Sequence, residues 1–310
     1  MDIYREISRF YGGIKTEKRI IGTSLQGRNL YAIKLGKGDP VGIAVYGIHG
    51  REWLTARLAK AHFSDGQKQG VIGSIWLIPL ANPDGALLSQ KGLSAVEGSS
   101  HLRFLSGYNS DQLRLWKANA RGVDLNVNFD AEWGKGVRNV RRAGAENYIG
   151  NRPFSEPESS ALKRFTEEIS PDYTVSFHTK GEEIYWYFGQ WPCEAVRDFR
   201  IGQALSMVTG YPLRLARGSV GGYKDWCISV LKIPSYTIEV GSDDFSHPLK
   251  GTAFSNIYQH CGGVLYTLSA AVRNEKINER RKIYAPSDCG GKAWLETGGS
   301  SYRGGDCLRG

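Results

Sequence analysis

The run Val41-Gly42-Ile43-Ala44-Val45-Tyr46-Gly47-Ile48 contains no charged side chain. A strand of that kind belongs in the interior of a sheet whose two faces are both covered, which narrows the chain to an α/β architecture. Directly behind it stands His49-Gly50-Arg51-Glu52. An imidazole and a carboxylate three residues apart, at the point where a buried strand ends, have the spacing of a metal-ligand pair, and that donor set suits zinc. A glutamate in the first turn of a helix also offsets the helix dipole, so the pair taken alone leaves a structural role open.

The rest of the chain alternates strand and helix patterns. Arg19–Ser24 and Asn29–Leu35 read as short strands around Gln26-Gly27. Glu52–Phe63 carries apolar residues at helical spacing, and Val71–Leu80 is a second buried strand ending in Asn82-Pro83-Asp84-Gly85, whose composition predicts a turn. Ser155–Ile169 reads as an N-capped amphipathic helix, Asp172–His178 as a strand, Arg200–Met207 as helix, Ser235–Val240 as strand and Phe254–Val272 as a long closing helix. The expected fold is a three-layer α/β/α sandwich on a mixed, largely parallel central sheet, with its site at the strand ends. One catalytic domain over residues 1–273 is expected. Residues 274–310 form the expected tail: positions 285–310 hold seven glycines and no strand or helix periodicity, a composition that predicts disorder.

Bulk properties exclude several functions. The 40 basic residues are spread among 31 acidic ones without a Lys/Arg block, so the net charge of +9 argues for an anionic small ligand rather than nucleic acid. No apolar run reaches membrane-span length, and the first residues lack a secretory pattern, so a cytoplasmic location is expected. Cys193, Cys227, Cys261, Cys289 and Cys307 are widely spaced, which suggests buried apolar residues or thiols rather than a disulfide framework.

Further segments accompany the histidine pair: Gly122-Val123-Asp124-Leu125-Asn126-Val127-Asn128-Phe129, Ser176-Phe177-His178 and Thr237-Ile238-Glu239. In this order, from about Ile20 to about Ala271, the chain resembles the zinc carboxypeptidases of peptidase family M14. The resemblance implies that His49, Glu52 and His178 hold one zinc ion per chain and leave a coordination position open. It implies Glu239 as general base, thirteen residues after Trp226 of the Gly221-Gly222-Tyr223-Lys224-Asp225-Trp226 segment. Lys117 stands where the family usually has an oxyanion-stabilising arginine, keeping the charge without the planar fork, and Arg121 lies nearby.

The substrate-binding positions depart from the pattern. Asn126 retains the family's asparagine, but Val127 replaces the arginine beside it and cannot clamp a free carboxylate. The register of the usual loop tyrosine falls near Arg217, with Tyr223 close by, and Arg51 completes the expected substrate contacts. Lys224-Asp225 falls near the specificity-pocket positions, and a cation beside an anion suits a zwitterionic side chain such as that of diaminopimelate. Together with Ser176–Trp186, this resembles the bacterial branch of γ-D-glutamyl-meso-diaminopimelate peptidases. The expected reaction is zinc-dependent hydrolysis of an amide in a peptide or muropeptide. The rivals are a general metallocarboxypeptidase and an inactive zinc-retaining binding module, and intact Glu239 argues against the latter.

Overall fold

The computed structural model describes residues 1–216 and 218–284. Arg217 and the expected glycine-rich tail beyond position 284 lie outside the described residues. Eight strands form one sheet: β1 (Lys18–Thr23), β2 (Asn29–Gly36), β3 (Val41–Tyr46), β4 (Ser74–Ile78), β5 (Tyr173–His178), β6 (Glu183–Tyr185), β7 (Leu213–Arg214) and β8 (Ser235–Glu239). Their spatial order is β1-β2-β4-β3-β5-β8-β6-β7. The centre, β4-β3-β5-β8, is parallel, while β1–β2, β2–β4 and β6–β8 pair antiparallel. The expected mixed sheet with a parallel core is therefore present.

The absence of charge along β3 follows from this position. Ala44 and Tyr46 join one apolar cluster with Leu58, Phe63, Ile201 and Leu268, while Ile43 and Val45 join a second with Trp76, Phe165, Tyr223 and Trp226. Alternate side chains of one strand thus feed the cores on opposite faces. Both faces are covered by helices: Thr55–Gln69, Pro192–Thr209 and Val264–Tyr284 on the first, Pro157–Ile169 and Tyr223–Ser229 on the second.

Four elements differ from expectation. Asn82-Pro83-Asp84-Gly85 starts a helix, Pro83–Lys91, instead of making a turn: Asn82 is the N-cap and its side chain accepts from Gly85 N at 2.9 Å, with proline in the first turn where its missing N–H costs nothing. Gly50–Glu52 forms a separate 3-10 turn, and the long helix begins at Thr55. The closing helix is broken at Gly262-Gly263 into Phe254–Cys261 and Val264–Tyr284. The second piece carries on past the expected domain limit at residue 273. An unanticipated helix, Ile3–Gly13, buries Ile3 and Ile7 against Ala56, Leu80 and Ala86.

Candidate active site

The parallel strands bring the expected metal ligands to one edge. His178 is the last residue of β5 and lies in register with Glu239, the last of β8, while His49 follows β3 on the other side of β5. Glu52 comes from the 3-10 turn. That turn fits because position 50 is glycine: a Cβ there would stand 2.5 Å from the Gly85 carbonyl and 2.7 Å from the Trp116 carbonyl oxygen.

His49 Nδ1 lies 2.9 Å from Glu52 Oε1, and His178 Nδ1 lies 3.0 Å from His49 Nδ1 and 3.1 Å from Glu52 Oε2. All three residues are buried. One donor atom from each falls within 4.8 Å of the others. Two imidazole nitrogens and a carboxylate converging away from water are a set of lone pairs that one cation satisfies together, and the set fits zinc. Burial favours a protonated Glu52, but His49 and His178 outweigh it and hold the carboxyl well below the usual range.

Asp124 supports this centre. One oxygen lies 3.3 Å from His49 Nε2, a charge contact rather than a well-aimed hydrogen bond, and the other lies 3.0 Å from Lys117 Nζ. The same carboxylate accepts from the backbone N–H groups of Asn126 and Asn147 at 3.1 Å. Burial opposes its charge, yet Lys117 and His49 hold it well below the usual range. Lys117 in turn has its pKa raised: burial works against the ammonium, and Asp124 and Glu52 outweigh that. Glu239 differs. Burial pushes its carboxyl up to about 7, with His178 and Lys117 opposing and Glu52 adding to the rise.

A cavity of about 300 Å³ opens beside Glu239. Asn126, Arg138, Tyr185, Lys224, Asp225 and Thr237 are among its walls. Lys224 and Asp225 are buried and bound to each other at 2.5 Å.

The profile of the zinc carboxypeptidase family, peptidase M14, matches residues 14–259. The chain belongs to this family. Within it, the chain is 30% identical over 260 residues to γ-D-glutamyl-L-diamino acid endopeptidase 1 of Lysinibacillus sphaericus, covering 79% of this chain and 65% of that protein. It thus spans just under two thirds of that relative's length. It is also 32% identical over 145 residues to murein peptide amidase A of Escherichia coli K12, covering 42% of this chain and 54% of the relative. In fold it is similar to bovine thrombin-activatable fibrinolysis inhibitor in complex with tick carboxypeptidase inhibitor, with a TM-score of 0.70, 20% identity and coverage of 90% and 98% of the two chains.

Of the expected substrate contacts, Asn126, Lys224 and Asp225 line the cavity and Arg217 lies outside the described residues. Tyr223 requires a correction. Its side chain is 0% exposed, packs against Phe129 and Trp226, and bonds Thr166 Oγ1 at 2.9 Å, because it sits on the inner face of the Tyr223–Ser229 helix. Arg51 points to the Leu115 carbonyl at 3.4 Å and Glu146 at 3.3 Å, and is not among the cavity's walls. Val127 is buried at 8% exposure and is not a wall residue either.

Sequence reading passes over two residues. Asp124 lies inside the quoted Gly122–Phe129 segment, two positions before Asn126, and its signal was the chain's only acidic residue there. Arg138 carries no local signal, since only folding brings it to the cavity. His247 has its Nδ1 3.4 Å from Thr179 Oγ1, and burial lowers its pKa to about 4.

Proposed function

We propose that this chain is a zinc peptidase that hydrolyses the amide beside diaminopimelate in peptidoglycan stem peptides, with one zinc held by His49, Glu52 and His178. The observation that carries this reading is the convergence of those three ligands, with His178 in register beside Glu239, which itself lines a cavity walled by both cations and anions. Such a wall is matched to a zwitterionic side chain. The two bacterial relatives, a γ-D-glutamyl-L-diamino acid endopeptidase and a murein peptide amidase, support the same substrate class.

The chemistry that zinc supplies when bound is polarisation of the scissile carbonyl and acidification of water toward a pKa of about 7. Glu239 then accepts a proton from the attacking water and delivers it to the nitrogen of the leaving amine, a role for which a carboxyl poised near neutrality is suited. Lys117, held by Asp124, presents its charge toward oxyanion development on the carbonyl carbon's oxygen. Asp124 orients His49 by its second ring nitrogen, as outer partners of metal-bound imidazoles do. Asn126 positions the substrate.

The test is a purified, zinc-loaded assay on a γ-D-glutamyl-diaminopimelate peptide beside a hippuryl-type peptide. The reading expects a kcat/KM at least tenfold higher on the former, on the order of one well-made charged contact. Equal rates would instead support the general carboxypeptidase, and no turnover of either would support the binding module.

A further inference from the structure

Most cations at or near the reacting centre are already paired: Arg51, between two of the ligands in sequence, meets Glu146 at 3.3 Å. Lys117 is paired with Asp124 at 3.0 Å, and Lys224 with Asp225 at 2.5 Å. Arg138, on the cavity wall, makes no ion pair and no hydrogen bond among the described residues. Its side chain is exposed, so the guanidinium keeps five donors for whatever enters.

Its backbone is nevertheless held. Val137 N donates to Gly218 O at 3.0 Å and Val140 N donates to Asn147 O at 2.9 Å, which brackets Arg138 from both sides. Gly218, at φ +74°, lies so close that a Cβ there would meet Val137 Cγ2 at 2.8 Å. This contact holds the arginine segment beside Leu215, Ala216 and Ser219, which line the same cavity. Asn126 also lines the cavity; its Oδ1 accepts from Tyr223 N at 3.1 Å, while its amide nitrogen makes no hydrogen bond among the described residues. A planar fork and an amide donor on walls of one cavity form a receptor for a carboxylate.

We propose that Arg138, acting with Asn126, binds a carboxylate of the substrate, replacing from a different loop the charge that Val127 does not provide. The proposal rests on the peptidase reading above and adds the residue that sets its preference for acidic ends. The carboxylate is either the main-chain carboxylate of the residue released or the side-chain carboxylate of diaminopimelate.

The experiment compares the full zinc-loaded chain with Arg138→Gln and Arg138→Lys, after melting curves establish that the variants fold alike. Substrates are γ-D-glutamyl-diaminopimelate with both carboxylates free, with the main-chain one amidated, and with the side-chain one amidated, and a hippuryl-type peptide with its amide. Arg138→Gln is expected to lose about 10- to 100-fold in kcat/KM on free carboxylates. On the amide that lacks the carboxylate Arg138 holds, it should match wild type, and which amide does so identifies the source. Arg138→Lys should recover part of the loss by keeping the charge without the fork. Arg138→Gln within twofold of wild type on every carboxylate substrate overturns the proposal while leaving the peptidase reading intact. A loss confined to hippuryl-type peptides, with no cleavage of diaminopimelate peptides, keeps Arg138 and overturns the substrate reading. If neither substrate is cleaved, calorimetric binding of free meso-diaminopimelate decides: affinity absent in wild type, or equal in Arg138→Gln, overturns it.

Discussion

Two buried groups of carboxylates flank the loop from Trp116 to Phe129, and they behave differently. In the first, Glu52 and Asp124 stay ionised because each faces a basic group, His49 and His178 for the one and Lys117 and His49 for the other. In the second, Asp84 meets Arg28 at 2.5 Å and Glu156 meets Arg121 at 3.3 Å, but Glu158 is left with donors that carry no charge. Those donors are Leu25 N at 3.2 Å and Asn119 Nδ2 at 3.3 Å. Burial and the nearby Asp84 then push Glu158 up to about 8. The difference teaches that a buried carboxylate's state is set by whether a cation shares its pocket, not by burial alone. The first group has charge to offer a metal ion, whereas the second holds the loop in place.

Removing a ligand from the first group should break it most severely. His178→Ala is expected to retain no zinc after dialysis and to show background turnover, read by elemental analysis and peptide assay. Full zinc in that variant would remove His178 from the ligand set. Next, Glu239→Gln should keep its zinc and its fold while turnover falls by about 10²-fold or more, the scale of losing a positioned acid/base. Turnover within twofold of wild type would place the base elsewhere.

A smaller effect should come from Asp124→Asn, which keeps the shape but withdraws the anion from both His49 and Lys117. Zinc affinity should fall by about 10- to 100-fold, the usual consequence of losing an outer partner of a metal-bound histidine. A competition titration against a chelator measures it, and an unchanged constant would mean that Asp124 only props the loop. The smallest effect belongs to the second group. Glu158 binds its proton more tightly folded than unfolded, so the stability it contributes is present below about pH 4.5 and is lost as pH rises toward about 8. Glu158→Gln should therefore flatten the loss of stability across that window, by at most about 1.4 kcal/mol per pH unit, without altering turnover. Denaturant midpoints at several pH values read it, and parallel profiles would show that Glu158 is ionised in the fold.

The metal half of the site was legible because its residues sit at the ends of buried strands. An apolar run ending at His49, and Asp172–His178 and Ser235–Val240 ending near His178 and Glu239, place these residues at strand ends by hydrophobic pattern, while their roles came from the family resemblance. The substrate wall was not. Tyr223 and Lys224 are neighbours in the same short helix, yet one faces the core and the other the cavity, and a segment too short for clear periodicity does not reveal which. Asn82-Pro83-Asp84-Gly85 misled for a related reason: residues that favour turns are also those that cap helices, since both roles use side-chain bonds to free backbone N–H groups.

What the sequence by itself determined is the sheet-centred fold, written in apolar runs and strand ends, and, through its resemblance to the zinc carboxypeptidases, the residue types of the ligand set and the missing guanidinium at Val127. Only the tertiary structure decided that Asp124 joins His49 to Lys117, that Tyr223 is core, and that Arg138 reaches the cavity from a separate loop. Those outcomes depend on long-range packing and on which charges share a desolvated space, and neither quantity is encoded at any single position of the chain.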